Sequence, residues 1–207
     1  NTRGTFLVGQ ISETELQKIV ERVVRQTMGS SPGAQSPAAV QQSLPQPQTT
    51  PVAKPAPKPI VALGADHGGF ELKEILKKEV ADLGYEITDV GTNSKDSCDY
   101  PDFALAVALL VSSGKAWRGI MIDGAGIGSC MVANKVPGVF AGMAYDVSTA
   151  SNGREHNNAN VLTLGAGLIG VNLAKQIVKT WLSTEFGGGR HAGRFDKIVA
   201  VEKQFLK

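Results

Sequence analysis

Residues 59–207 predict an α/β fold: a Rossmann-like, doubly wound, five-stranded parallel sheet with helices on both faces. Three observations carry this expectation. Short apolar runs alternate with longer amphipathic stretches from Ile60 onward. Glycine-rich segments stand directly after the first and third apolar runs, at Gly68-Gly69 and Gly124–Gly128. About 150 residues suit one core of this type.

The elements before this domain follow a different logic. Ser12-Glu13-Thr14-Glu15 reads as a capping box, with Ile11 and Leu16 in the places of a hydrophobic staple. Leu16, Ile19, Val20, Val23, Val24 and Met28 then fall on one helical stripe, and Gly29 ends it. A helix this short is marginal alone in water, so its stripe calls for a partner. That partner is the parent domain, a coil with another copy, or a separate protein. Residues 29–58 hold seven of the ten prolines and no acidic or aromatic residue, and predict a linker without a fold. Such a chain is extended and semi-rigid at ~3.1 Å per residue, so it could reach about 90 Å.

Within the domain, the strands are expected at 60–63, 86–90, 119–122, 139–144 and 161–164. Helices are expected at 70–83, 102–112, 129–135, 147–154, 168–181 and 195–205. Phe70, Leu72, Ile75, Leu76, Val80 and Leu83 give the first of these helices an inner face.

Composition narrows the function classes. With 21 Lys+Arg against 19 Asp+Glu, the net charge of +2 offers no broad basic field for a nucleic-acid backbone. Cys98 and Cys130 are too few for a disulfide framework or a thiolate metal site. No apolar run approaches the ~20 residues of a membrane span, and no leader pattern stands at the start. A protein of a reducing, cytosolic compartment is the expectation.

Ligands of doubly wound sheets collect at the carboxyl ends of the strands, so the strand-end segments hold the candidate chemistry. The first is Ala65-Asp66-His67-Gly68-Gly69, where glycine permits close backbone approach, Asp66 suits hydroxyls and His67 suits a phosphate or sugar oxygen. A plain turn with Asp66 as helix cap fits equally. The second is Asp123-Gly124-Ala125-Gly126-Ile127-Gly128-Ser129. Its spacing is neither the dinucleotide fingerprint nor a P-loop. It suits a backbone nest for an anion, with Asp123 facing a substrate above it. The alternative is that Asp123 caps the loop's own N–H groups. The third is Arg154–Asn160, a dense polar cluster with His156 as an acid/base group, or simply a polar helix end. The fourth is Gly187–Arg194, where Arg190, His191 and Arg194 on a flexible glycine-rich loop suit a phosphate, or form a solvated basic loop.

Taken together, DHGGF, DYPD, DGAGIG…ANK, REHNNAN and GGRH..R stand in order over about 140 residues. They resemble the ribose-5-phosphate isomerase type B family, which includes the galactose-6-phosphate isomerase subunits. The resemblance covers Pro59–Lys207. It implies aldose–ketose isomerisation of a sugar phosphate through a cis-enediol, with no cofactor and no metal. It also implies a homodimer or tetramer with the active site at the subunit interface. By position, Asp66 would bind sugar oxygens, His67 would face phosphate and Tyr100 would line the sugar pocket. Gly124, Gly126 and Gly128 would carry the anion-stabilising backbone. His156 would open the sugar ring, Asn157 would hold the open chain, and Arg190 and Arg194, with His191 as a further candidate, would hold phosphate. The capped helix and its Pro/Ala-rich linker resemble the encapsulation peptides of bacterial microcompartment cargo, which implies a shell protein as partner of residues 12–28.

Three departures stand out. One branch of the family has a Cys base at the position of Asp123, another a Glu base at that of Ser129, and this chain has neither. Asp123 is the expected substitute, although a reference pKa of ~3.9 is low for a base at neutral pH. Ala125 replaces a Thr that assists ring opening, and Gly167 replaces an Arg that contacts phosphate in many members.

Overall fold

The structure, a computed structural model, describes residues 58–206. The expected N-terminal helix, and all of the linker but Lys58, lie outside the described residues.

Five strands form the sheet: β1 (Ile60–Ala65), β2 (Glu86–Asp89), β3 (Arg118–Asp123), β4 (Ala141–Met143) and β5 (Val161–Gly165). Six helices accompany them: α1 (Phe70–Asp82), α2 (Tyr100–Ser112), α3 (Ile127–Ala133), α4 (Val147–Glu155), α5 (Val171–Ser183) and α6 (Arg190–Phe205). The strand order is β2-β1-β3-β5-β4 and every pairing is parallel. This is the doubly wound α/β sheet the alternation predicts. All five strands are within two or three residues of their expected limits.

β1 and β3 are buried along nearly their whole length, because both faces of the sheet are covered. One face packs Leu72, Leu76 and Val80 of α1 with Ala174, Ile177, Val178 and Trp181 of α5 and Ala150 of α4. The opposite face packs Val107, Ala108 and Val111 of α2 with Ala133 and Val136 at the end of α3. Ile75 departs from the expected inner face of α1 and is 38 % exposed. Lys73 is fully buried on α1, where its Nζ donates to both oxygens of Asp89, at 2.6 and 2.8 Å, and ties the helix to the end of β2.

The chain leaves β1 toward one face and β3 toward the other. The carboxyl ends of these neighbours therefore bound a crevice at the switch point of the sheet. The largest departure from expectation lies at the C-terminus. Helix α6 begins at Arg190 rather than Phe195, because Gly189, at φ +51°, turns the chain directly into it. Arg190, His191 and Arg194 thus stand on a helix, not on a flexible loop.

Candidate active site

The crevice is built from two glycine-containing turns. After β1, the Asp66 N–H donates to the Ile122 carbonyl (3.2 Å) and fastens the turn to β3. Gly69 crosses so close to β3 that a Cβ there would sit on the Ile122 carbonyl oxygen. Asp66 is buried, and its Oδ1 accepts from the Gly69 N–H at 2.9 Å. Its Oδ2 has no hydrogen-bond partner among the described residues and is not sealed from solvent. Asp66 therefore caps the turn with one oxygen and keeps the other open. His67 is exposed, and its Nδ1 lies 3.1 Å from the Cys98 carbonyl oxygen, just ahead of α2. The Cys98 N–H lies 3.3 Å from the same Nδ1 and can donate to it, so the Cys98 backbone anchors the ring in either tautomer.

The turn after β3 corrects the expectation for Asp123. Its carboxylate is 4 % exposed and fully engaged by its own loop. Oδ1 accepts from the N–H groups of Ala125 (2.8 Å) and Gly126, and Oδ2 from the Ser129 N–H (3.2 Å) and hydroxyl. An open base above the nest does not describe this residue; it is the loop's cap. For the same reason the nest is narrower than expected, since the amides of Ala125, Gly126 and Ser129 already serve Asp123. Those of Gly124 and Gly128 do not. Gly126 has φ +79°, which an L side chain resists, and a Cβ there would also lie 3.0 Å from the Leu164 carbonyl carbon. Gly128 lies under the ring of Tyr100, whose hydroxyl would be 2.7 Å from an added Cβ. Gly167 donates its N–H to the Gly124 carbonyl at 3.0 Å, and a Cβ there would lie equally close to that oxygen. Asp123, Ser129 and Gly167 therefore act together to close the loop tightly.

A second polar group forms where α4 ends and α6 begins. Asp146 starts α4 through a reciprocal cap with Thr149, its Oδ1 accepting from the Thr149 N–H at 2.7 Å. His156 follows the last turn, and Asn158 reverses the chain at φ +49°. The His156 ring stacks on His191 with centroids 4.1 Å apart and planes 8° from parallel. Arg190 Nε donates to His191 Nε2 at 3.4 Å. Lost hydration lowers the pKa of His191 first, then the charges of His156, Arg190 and Arg194, with Glu155 opposing. Asn157 lines a groove of about 580 Å³ beside β4, with Phe140, Met143 and Ile198 on its apolar side.

Asp66, His67, Tyr100, Gly124, Gly126 and Gly128 thus meet at the β1/β3 crevice, and His156, Asn157, Arg190 and His191 meet at the α4–α6 junction. Arg194 is exposed one turn after Arg190. No hydrogen bond or ring contact among the described residues joins the two groups. Two contributors escape the sequence reading. Ser129 secures Asp123, and Asn152 binds both His156 and Asn157. The i, i+4 spacing of Asn152 and His156 on one helix was the available signal. Arg154 of the same motif is structural: buried, it donates to the Ala159 carbonyl at 2.6 Å and to Asn158 Oδ1 at 3.2 Å. Cys130 is half-buried, and burial pushes its thiol pKa up, so it is no substitute base. No group of three or more metal-ligating side chains occurs among the described residues. No described helix is long and apolar enough to cross a membrane.

Comparison with known proteins gives one consistent picture. Residues 61–198 match the family described as Ribose/Galactose Isomerase. The chain is 40 % identical over 144 residues to ribose-5-phosphate isomerase B of Escherichia coli, covering 70 % of this chain and 97 % of that protein. It is 40 % identical over 145 residues to D-erythrulose-4-phosphate isomerase of Pectobacterium atrosepticum, covering 70 % and 95 %. Among solved structures, it is similar to Clostridium thermocellum ribose-5-phosphate isomerase B, with TM-score 0.69 and 47 % identity over 70 % of this chain and 99 % of that one.

Proposed function

Because the chain belongs to the ribose/galactose isomerase family, we propose that it interconverts an aldose phosphate and a ketose phosphate, with ribose 5-phosphate and ribulose 5-phosphate as the leading pair. The observation that carries this reading is the β1/β3 crevice, where Asp66, His67, Tyr100 and the glycine loop converge and no atom lies within 4 Å of a Cβ built at Gly124.

The reaction is a proton relocation. A base takes the C2 proton, the C–H electrons form the C1=C2 bond of a cis-enediol, and the carbonyl oxygen takes a proton. Return of a proton to C1, with loss of the O2 proton, gives the ketose, so atoms and charge balance without cofactor or metal. With Asp123 committed to its loop, Asp66 is the crevice carboxylate that keeps an oxygen for this transfer. Backbone N–H groups of Gly124 and Gly128 suit the negative charge that develops on the enediol oxygens. His156 opens cyclic sugars, Asn157 holds the open chain, and Arg190, Arg194 and His191 hold phosphate.

The separation of crevice and α4–α6 group supports a site completed by a second copy of the chain. Exposed Leu105, Leu109, Ile127 and Met131, at 44, 52, 55 and 64 %, offer an apolar surface for it. The N-terminal segment 12–28 is read as a shell-docking helix of a microcompartment cargo protein, on its sequence pattern alone. Deletion of residues 1–58 should abolish co-purification with shells, and retained co-purification would remove that reading.

The decisive experiment is solvent-deuterium exchange at C2 across four-, five- and six-carbon aldose and ketose phosphates. Turnover with exchange on the pentose phosphates is expected, and preference for another chain length would reassign the substrate. Asp66→Asn should lose exchange; if exchange survives in Asp66→Asn but vanishes in a folded Asp123→Asn, the base is Asp123. A second reading, a sugar-phosphate-binding subunit without catalysis, draws on the self-capped Asp123 and the glycine at 167. Binding without exchange on any substrate would favour it.

A further inference from the structure

Resting on the reading above, we infer that Asn152 is a positioning residue that fixes the His156 imidazole in its Nε2–H form and holds Asn157 in the same grip. The argument starts from an atom whose role is invariant. The Asn152 backbone carbonyl can only accept, and a terminal atom of the Asn157 carboxamide lies 3.1 Å from it, so that atom is the donor Nδ2. The same Nδ2 lies 3.0 Å from the Asn152 side chain, which must therefore present its oxygen. The Asn152 amide nitrogen is then left facing His156 Nδ1 at 2.8 Å. An NH₂ group donates, so Nδ1 accepts and the ring proton resides on Nε2. This chain of constraints assigns both amide orientations and the tautomer without appeal to hydrogen positions.

Stacking supplies the second restraint. His191 covers one face of the His156 ring, while Arg190 holds His191 in turn. The stack fixes the plane of the ring, the Asn152 contact fixes which nitrogen faces Asn152, and the Nε2–H edge points away from it. The nearest carboxylate oxygen to Nε2 is that of Glu155, at 3.8 Å, too far to hydrogen-bond it. An imidazole held so presents a proton donor, which is what ring opening requires at the ring oxygen of a cyclic sugar. Neither Asn152 nor its spacing belongs to the motif of functional residues. Its contribution comes through the two residues it orients.

Nitrogen-15 shifts of the full chain test this directly, because only three histidines are present and His156 is assigned by loss of its signals in His156→Gln. The neutral His156 ring should show the Nε2–H form alone. Asn152→Asp places an acceptor beside Nδ1 and should move the proton to Nδ1. The same variant should lower kcat on cyclic substrate about tenfold or more, with a smaller loss on open-chain substrate. Asn152→Leu, which keeps the side-chain volume, should give a mixture of both forms. An Nδ1–H ring in the unsubstituted protein, or an unchanged tautomer in both folded variants, overturns the inference. The shifts do not depend on turnover. If they behave as stated while no sugar phosphate reacts, the proposed function fails and the positioning role stands.

Discussion

The β1/β3 crevice and the α4–α6 junction are both polar, yet they are held in different ways. The crevice is fixed by backbone. Asp123 is buried with all its hydrogen bonds inside one loop, and the glycines at 69, 126 and 128 stand where a Cβ would meet a carbonyl or a ring. The junction is fixed by side chains, through the Asn152–His156–Asn157 contacts and the stack of two imidazoles, with Arg190 and Arg194 exposed. The difference sets what a substitution costs in stability. Damage to the Asp123 loop and its glycines removes packing and buried hydrogen bonds. Loss of exposed Arg190 or Arg194 at the junction leaves the packing intact.

The sharpest break of this contrast is Gly69→Ala. The new methyl meets a strand carbonyl that cannot yield, so a loss of about 3 kcal/mol is expected in denaturant unfolding. Near-normal stability would show that the turn is not held against β3. Next, Asp123→Asn puts an NH₂ where the loop needs an acceptor and should cost about 2 kcal/mol by the same measurement. A variant as stable as the parent but without isomerisation would restore Asp123 as the base. The junction should respond in the opposite way. Arg190→Ala and Arg194→Ala should each stay within about 0.5 kcal/mol of the parent in stability, while KM for the sugar phosphate rises about tenfold. Unchanged KM in both would remove them from phosphate binding.

The smallest effect is one of pH. His191 has its pKa lowered by lost hydration and by the positive neighbours His156, Arg190 and Arg194. As pH falls, the unfolded chain therefore takes up this proton first, near ~6.5. The stability linked to neutral His191 is present above that pH and is lost as pH falls through the lower folded value. His191→Phe keeps a ring against His156 and should flatten this part of the melting-temperature profile between pH 7 and 5. An unaltered profile would show that His191 titrates as it does in the unfolded chain.

Much of this was legible in the residues. Alternating apolar runs identified every strand, because a doubly covered parallel sheet needs continuous apolar segments. Asp66 at the first turn, the glycine loop at the third strand and the His156-Asn157 pair were legible as unusual residues at strand ends. Less legible was the start of α6. Gly187-Gly188-Gly189 reads as a flexible loop, whereas its positive φ values turn the chain into a helix that displays Arg190 and Arg194 one turn apart. The state of Asp123 was least legible. A carboxylate that faces a substrate and one that faces its own loop have the same sequence around them.

The sequence by itself determined the sheet, the family and the identity of the polar groups, since hydrophobic period and residue type are local properties. Only the tertiary structure decided which of those groups are still available. Asp123 is used up by Ala125, Gly126 and Ser129, Asp66 retains one oxygen, and Asn152 is drawn in as the residue that aims His156. Hydrogen-bonding capacity is finite, and how it is divided depends on which atoms the fold brings within about 3 Å of one another.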